Sequence, residues 1–461
     1  EEMNKKLFNK VLIINFVYAM PLIISQRLYA DDIFRATSGW MRYWIYDARP
    51  MTFYIMKLLN LGDIASDISP LPLALSLVVM SAASCYIAKI ITSKTDWITA
   101  FSASLLCLSP LYLENLSFSF DSLTMAIAIF FSVFSASYAK KLSLPVKILL
   151  IFLMLCTYQP ALSVFIGVTA FIVFIDAINR RPVKLILKQT LENIISLIIG
   201  YIIYKPIIKE LFPESEYFFN KGSVELEGLI TTSSNNTTES LNLLFDWLGN
   251  YLTLTMLAFI ISVFIVLIQN KLNFKYLFIA LIGLLTILFS ILGPVILTSN
   301  PVLLPRVFVG FSCFVCITFL IVNNVRYIQY TSVIIVFLSL MFMYSFNGAM
   351  KGEERRNNLI TNDIISLISA SKNPIDVIRI SGNPGSSLIK EQAARKYHII
   401  DYIVPNYYST PRLANAWLLN NGVDIKVEKD EGNSITLSKT SIFFEYGYDR
   451  NVLLLKFKKP R

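Results

Sequence analysis

The stretch from Tyr29 to Pro50 holds side chains that could do chemistry at a membrane surface, in a chain of which only 16% of the residues are charged. Asp31 and Asp32 are adjacent at its start, and paired carboxylates suit general-base catalysis or cation binding. Arg49 stands directly before Pro50, and an arginine side chain binds phosphate through two parallel hydrogen bonds. The stretch is therefore a candidate catalytic loop beside a phosphorylated lipid.

A second interpretation of this stretch is structural. Tryptophan and tyrosine rings settle at the headgroup level of a bilayer, so an interfacial amphipathic helix would have the same composition. The aromatic residues concerned are Trp40, Tyr43, Trp44 and Tyr46. The two interpretations are compatible. Arg35 and Asp47 are further candidates for substrate contacts, and the plain alternative for Arg49 is a surface ion pair with Asp47, which would contribute little.

Further polar residues lie in short segments between apolar runs. Their types suit sugar hydroxyls, whereas core packing or turn formation explains each one taken alone. They are Glu114, Asp121, Tyr158 and Gln159. Arg306, in the sequence Leu-Pro-Arg, is a second phosphate candidate; its alternative is an arginine that extends to the membrane interface.

The chain has few residues for catalysis that depends on histidine or cysteine. The chain has one histidine, His398, which excludes histidine-rich metal sites and argues against a Ser-His-Asp triad. Cys313 and Cys316 form a C-x-x-C inside an apolar run, where we expect them to pack as small apolar residues. Acid–base chemistry would fall to carboxylates, and no metal or other cofactor is expected.

The elements that position these residues are membrane helices. Of 461 residues, 55% are hydrophobic, in repeated runs near the ~20 residues that cross a bilayer. The pattern predicts an all-α polytopic membrane protein, with the first run retained as a span rather than cleaved as a signal peptide. The eleven predicted spans are 7–25, 70–91, 97–113, 119–139, 147–159, 161–178, 190–207, 248–269, 276–297, 303–322 and 331–347.

The net charge of +10 does not indicate nucleic-acid binding. The basic residues fall mainly in short loops between apolar runs, where they set the orientation of the spans in the membrane. Within residues 1–350, fifteen Lys and Arg residues fall on one side of the spans and nine on the other, so the positive-inside rule places the N-terminus in the cytoplasm. Residues 1–350 would form the membrane domain, with outer loops at 26–69 and 208–246. Residues 351–461 would form a small α/β domain on the outer, periplasmic face.

Within that tail we expect strands at Asp376–Ile380, Ile435–Leu437 and Val452–Phe457, and helices at Asn358–Ser369 and Pro411–Asn420. The sequence Gly382-Asn-Pro-Gly385 follows a strand and could cradle a phosphate. A plain turn is the commoner explanation.

Taken together, the motifs resemble a known family. YADDIFR, GW, DARP, DISPLP, LENLSFSFDSLTMA and TYQPAL, spread over about the first 180 residues, are similar to the GtrII-type bacterial serotype-converting O-antigen glucosyltransferases. Leu-Pro-Arg306 and the C-terminal domain are compatible with the resemblance. Ala48 is a departure, because the family more often has glycine before the arginine.

The resemblance implies a GT-C type glucosyltransferase of the bacterial inner membrane. Its donor would be undecaprenyl-phosphate-glucose and its acceptor a sugar of lipid-linked O-antigen on the periplasmic side. Partners would include membrane lipids, a polyprenyl-phosphate-glucose synthase and a flippase. The resemblance also implies an acidic catalytic base in the first outer loop, which carries over to Asp31 or Asp32, with Asp31 preferred. Arg49 and Arg306 would stabilise the lipid phosphate.

Other functions remain open from the sequence. A lipid-linked sugar flippase would need polar residues along its spans, which are nearly free of ionisable groups. An O-antigen polymerase would need arginine-rich outer loops late in the chain, and the loop at 208–246 has no arginine. A non-catalytic membrane anchor for residues 351–461 would leave the cluster in the first loop unexplained.

Overall fold

The computed structural model describes residues 4–137, 142–216, 218–219, 228–431 and 439–458. The chain packs as two compact units. The first, here called the membrane unit, comprises Glu1–Gln26 and Met41–Met343. The second, here called the α/β unit, comprises Arg27–Trp40 and Tyr344–Arg461. The sequence analysis divided the chain once, at residue 350. That division stays a prediction.

The membrane unit consists of helices, and a few of them begin at a side-chain cap. Asp96, for example, accepts a hydrogen bond from the Thr99 backbone N–H at 2.7 Å and so begins a helix, because its carboxylate satisfies an otherwise unpaired amide. The helices are α1 Lys5–Ser25, α3 Tyr43–Tyr46, α4 Pro50–Leu59, α5 Leu71–Ile91, α6 Trp97–Leu108, α7 Leu113–Ser117, α8 Ser122–Ala136, α9 Leu144–Leu155, α10 Leu162–Ile178, α11 Val183–Leu211, α12 Leu229–Leu248, α13 Asn250–Asn270, α14 Phe274–Leu292 and α15 Val309–Val322. The last long helix, α16 Thr331–Ser369, begins in this unit and ends in the α/β unit.

The helical membrane character predicted from the sequence is confirmed. In the described part of the chain, seven helices are long and apolar enough to cross a membrane, or eight if the bent pair Trp97–Leu108 and Pro110–Ser117 forms one span. Three shorter apolar helices, α8, α9 and α15, coincide with the other predicted spans. The count of eleven spans stays a prediction. The predicted outer loop 208–246 is helical in its second half, where α12 begins at Leu229.

The core of the membrane unit surrounds α15, all of whose residues are buried. A helix that is apolar on every side must be surrounded by other elements. At Gly310 the neighbouring α14 comes so close that an added Cβ would stand 1.9 Å from the Ser290 carbonyl oxygen. Only glycine permits this approach, which holds the start of α15 and the residues just before it in place.

The α/β unit contains a five-stranded sheet with the order β2-β1-β5-β4-β3. Its strands are β1 Val377–Gly382, β2 Lys426–Lys429, β3 Lys439–Thr440, β4 Phe444–Asp449 and β5 Val452–Phe457. β1 pairs in parallel with β2 and β5, with Val377 opposite Lys426 and Val452, and β4 pairs antiparallel with β3 and β5. The helices of the unit besides the end of α16 are α2 Asp32–Ser38, α17 Leu388–Lys396, α18 Ile399–Ile403 and α19 Pro411–Asn420.

The predicted small C-terminal α/β domain is therefore confirmed as a fold, and its periplasmic location stays a prediction. Three of the predicted elements appear at or close to their expected limits: β1, β5 and α19. The helix expected at Asn358–Ser369 is the end of α16. The strand expected at Ile435–Leu437 lies outside the described residues.

The α/β unit also contains a segment that the sequence did not assign to it. Ile33 of α2 is 1% exposed and belongs to the same hydrophobic core as Ile378 of β1 and Leu453 of β5. Alternate residues of a strand face the same side, so β1 presents Ile378 and Ile380 to this core. The residues that carry Asp31 and Asp32 are thus held by a domain more than 300 residues further along the chain.

Candidate functional site

Arg49 of the membrane unit is a partly buried cation that packs on an aromatic ring. Its guanidinium lies over the ring of Tyr158, 5.2 Å from the ring centroid. Among the residues that the structure describes, no acidic side chain pairs with Arg49, and its buried Nε atom has no hydrogen-bond partner. The surface ion pair with Asp47 is therefore not formed. Because an aromatic face supports a cation without neutralising it, the group stays available to an anion.

The turn before Arg49 has an unusual backbone. Ala48 has φ = 56° and is buried, a left-handed conformation that glycine adopts at lower cost. This φ explains why the resembled family more often has glycine at this position. Here the Ala48 carbonyl is held by the Tyr204 hydroxyl at 2.7 Å and the Gln159 side-chain amide at 3.3 Å, so the turn is fixed despite the missing glycine.

Arg306 is held at both ends by Glu114. The Glu114 carboxylate accepts one hydrogen bond from the Arg306 backbone N–H at 2.8 Å and one from Nη1 at 2.9 Å. Glu114 is 4% exposed, so it is a structural ion-pair partner rather than an open sugar ligand. The Arg306 guanidinium also lies over the Phe118 ring, 5.1 Å from its centroid. Its side chain remains 25% exposed, which leaves part of it accessible.

Tyr158 joins the two arginine-bearing segments. Its hydroxyl donates to the Arg306 carbonyl oxygen at 2.5 Å. Asn115 donates to the Tyr158 hydroxyl at 3.0 Å and to the same carbonyl at 3.3 Å. The structure thus brings together Arg49, Arg306, Glu114 and Tyr158, four of the residues singled out from the sequence. Asn115 was not among the residues singled out, because its partners Tyr158 and Arg306 lie far away in the sequence.

Asp121 and Asp47 occupy different positions around this cluster. Asp121 is buried and accepts a hydrogen bond from the Trp44 indole N–H at 2.6 Å, so it anchors the aromatic part of the first loop. Asp47 is exposed, and its carbonyl oxygen accepts from Gln159 at 3.3 Å. Gln159 is used in fixing the Arg49 turn.

The two predicted catalytic aspartates lie in the α/β unit with different surroundings. Asp32 is fully buried, with its Oδ1 3.4 Å from Nη1 of Arg35, which is also buried. The side chain of Asp31 is 42% exposed, and its Oδ1 lies 3.5 Å from Nη2 of Arg412. Of the two, Asp31 is the carboxylate that a substrate hydroxyl could reach.

Tyr407 packs beside this aspartate segment in the same unit. Its hydroxyl donates to the Leu28 carbonyl at 3.0 Å. Burial raises the pKa of Tyr407, and the nearby Asp32 carboxylate adds to the rise. The hydroxyl therefore stays protonated at neutral pH and acts as a hydrogen-bond donor that ties the segment to its domain.

The loop Gly382–Gly385 has the features of a turn. Gly382 and Gly385 have φ of 82° and 67°, and the Asn383 side chain accepts from the Gly385 N–H at 2.9 Å. The Ser387 N–H beyond it donates to the Glu353 carboxylate at 2.8 Å. The N–H groups of Gly385 and Ser387 are thus satisfied by side chains of the protein, as in a turn, and we assign no phosphate site there.

With this geometry described, comparison with known proteins identifies the family. The model of the family described as glucosyl transferase GtrII matches residues 20–323. The chain belongs to the GtrII glucosyltransferase family. The match includes Asp31, Asp32, Arg49, Glu114, Tyr158 and Arg306. The resemblance inferred from the sequence is confirmed, and membership in the GtrII family supports glycosyltransferase activity.

A second comparison finds a relative that is similar along nearly the whole chain. The chain is 27% identical over 473 residues to a protein of Salmonella phage P22 described as an uncharacterized 55.3 kDa protein in the gtrB 5′ region. The similarity covers 94% of this chain and 96% of the relative, so it extends beyond residue 323, where the family model ends, into the C-terminal part of the α/β unit. No solved structure matches the chain.

Proposed function

We propose that this GtrII protein transfers a glucosyl residue from undecaprenyl-phosphate-glucose to a sugar of lipid-linked O-antigen on the periplasmic side of the inner membrane. The observation that carries the proposal is Arg49, a partly buried guanidinium supported by an aromatic ring and left without an acidic partner in the described chain. Leaving a buried polar group unpaired is costly, so the arrangement suits an anionic ligand such as the donor phosphate. Synthesis and translocation of the donor would fall to a separate synthase and flippase.

The reaction needs a base for the acceptor and a cationic site for the leaving phosphate. A carboxylate removes the proton from the acceptor hydroxyl, whose oxygen then forms a bond to the anomeric carbon of the donor. The bond between that carbon and the phosphate oxygen breaks, and the lipid phosphate leaves with the electron pair. Arg49 and Arg306 stabilise the charge that develops on this phosphate, in a site where few water molecules compete.

The catalytic base in this proposal is Asp31 or Asp32, with Asp31 preferred because its side chain is exposed. Phosphate is a good leaving group once arginine stabilises it, so the scheme uses no metal ion. Arg35, Asp47 and Asp121 are not assigned a direct substrate contact in it. Gln159 and Glu114 contribute by fixing Arg49 and Arg306.

The test is transfer of labelled glucose by the purified chain in lipid vesicles. Undecaprenyl-phosphate-[14C]glucose is supplied as donor and a lipid-linked O-antigen repeat as acceptor, and label in the acceptor is counted. We expect Arg49→Gln to lower kcat/KM for the donor by about 100- to 1000-fold, as loss of one donor to a developing anion does. Arg49→Lys would recover part of it, since lysine keeps the charge but loses the planar fork.

The matched control is Lys57→Gln, which removes another cation from the same segment, one paired with Asp63 on the surface. It should transfer glucose at the wild-type rate. Equal activity of Arg49→Gln and wild type would refute the phosphate-binding role. Longer O-antigen chains without added glucose would favour the polymerase, and movement of unchanged donor across the vesicle membrane would favour the flippase.

A further inference from the structure

The turn Thr157–Pro160 looked in the sequence like a sugar-binding turn, but its tyrosine is used inside the protein. Tyr158 is 1% exposed. Its hydroxyl accepts from Asn115 and donates to Arg306, which leaves it without a free proton for a sugar. Its ring face is covered by the Arg49 guanidinium. Tyr158 thus contacts both arginine-bearing segments.

We propose that Tyr158 is a positioning residue, which sets the separation of Arg49 and Arg306 so that both guanidinium groups meet the phosphate of one polyprenyl-phosphate sugar. This inference rests on the proposed function and assigns Tyr158 a role distinct from sugar binding. Its hydroxyl acts on Arg306 and its ring acts on Arg49.

On the Arg306 side, the hydrogen bond goes to the backbone rather than to the guanidinium. The Arg306 N–H is held by Glu114 at 2.8 Å and its carbonyl by Tyr158 at 2.5 Å. The peptide groups on either side of the Cα are therefore fixed, and with them the point from which the side chain extends. A long arginine side chain costs less entropy to order when its starting point is already fixed.

On the Arg49 side, the residues next to Tyr158 hold the same segment. The Met51 N–H donates to the Cys156 carbonyl at 3.0 Å, and the Thr52 hydroxyl donates to the Thr157 carbonyl at 3.0 Å. The start of α4 and the Tyr158 turn therefore move together. The ring then supports the guanidinium and, unlike a carboxylate, leaves its charge for the ligand.

The experiment separates the hydroxyl from the ring in the full-length chain in vesicles. Tyr158→Phe removes only the hydroxyl, whereas Tyr158→Leu removes hydroxyl and ring. We expect Tyr158→Phe to lower kcat/KM for undecaprenyl-phosphate-glucose by about 10-fold, the effect of losing one strong hydrogen bond. Tyr158→Leu should lower it further, and KM for the acceptor should not change in either variant.

Double variants show which arginine each part of Tyr158 serves. In an Arg306→Gln background, Tyr158→Phe should cost less than about 3-fold, because the group that the hydroxyl positions is already lost. In an Arg49→Gln background, the same change should still cost about 10-fold. Equal costs in the two backgrounds, or a raised KM for the acceptor, would overturn the positioning role and favour a general structural or a sugar-binding role.

The matched control is Tyr112→Phe. Tyr112 is fully buried, and within the described residues its hydroxyl has no hydrogen-bond partner, so we expect wild-type kinetics. If the wild type transfers no glucose from this donor, the proposed function itself fails. If the wild type transfers glucose and both arginine variants lose activity while Tyr158→Phe keeps it, only the positioning role fails.

Discussion

Asp31 and Asp32 are neighbours in the sequence but stand in different environments, and this difference predicts different roles for them. Asp32 is fully buried against Arg35, and Asp31 is exposed near Arg412. A base must meet its substrate hydroxyl, whereas a buried ion pair contributes to holding the fold. At Ala48 the local structure likewise explains a feature of the sequence. Its φ of 56° is a left-handed value, which is why this position favours glycine.

Substitution of the two aspartates should therefore give different results. We expect Asp31→Asn to lower kcat by about 100- to 10,000-fold, the range for loss of a general base, with an unchanged melting temperature. Asp32→Asn should weaken a buried ion pair and lower the stability of the α/β unit by about 3–5 kcal/mol. Thermal unfolding in detergent and glucose transfer in vesicles are measured on the same preparations. Full transfer by both variants, each correctly inserted, would exclude this pair as the source of the base.

At the scale of elements, the first loop is organised by contacts with segments far along the chain. Trp44 of α3 donates to Asp121, which precedes α8, and Arg49 precedes α4 above the Tyr158 turn. The interfacial aromatic residues and the catalytic candidates are thus not alternatives: buried Trp44 anchors the loop in the protein, while Tyr46 remains 39% exposed.

Loss of the Trp44 anchor should loosen the loop. Trp44→Phe keeps an aromatic ring but removes the 2.6 Å hydrogen bond to Asp121, so we expect about 1–3 kcal/mol lower stability and faster hydrogen exchange of residues 43–49. Tyr54→Phe, on an exposed tyrosine of α4, is the control and should change neither quantity. Unchanged exchange in Trp44→Phe would show that other contacts fix the loop.

At the scale of the whole molecule, the α/β unit is assembled from two distant parts of the chain. Arg27–Trp40 and Tyr344–Arg461 pack as one unit, with Ile33 in the core beside Ile378 and Leu453. The predicted catalytic aspartates thus pack against the C-terminal part of the α/β unit, which lies beyond residue 323, where the match to the GtrII family model ends. The phage P22 relative matches along nearly its whole length.

The two parts should unfold together. Ile33→Ala would leave a cavity in the core, and we expect it to destabilise the α/β unit by about 2–5 kcal/mol. Hydrogen exchange should then rise both at residues 27–40 and in β1 and β5, while α5 and α10 are unaffected. Ser38→Ala, on an exposed residue of α2, serves as the control. Faster exchange limited to residues 27–40 would show that the two parts are not cooperative.

The sequence by itself determined the classes of structure and the residue types for the chemistry. Apolar runs near bilayer length predict helices because every backbone polar group must be satisfied inside the segment, and short runs rich in Val, Ile and Leu predict β1 and β5. These patterns are local, and each needs only neighbouring residues to be recognised. The set of arginines, carboxylates and the single histidine likewise limited the chemistry that the chain could perform.

Only the tertiary structure decided how these residues are used. Glu114 and Arg306 are 192 positions apart, and Tyr158 and Arg306 are 148 apart, so no periodicity relates them. Glu114, Tyr158 and Gln159 have side-chain types that suit a sugar, whereas in the fold each is hydrogen-bonded to another part of the protein. Asp31 and Asp32 come soon after the first membrane helix but pack in the α/β unit, where the neighbouring Ile33 is buried in the core. Which groups meet depends on packing between distant segments, and that packing is what the sequence pattern leaves open.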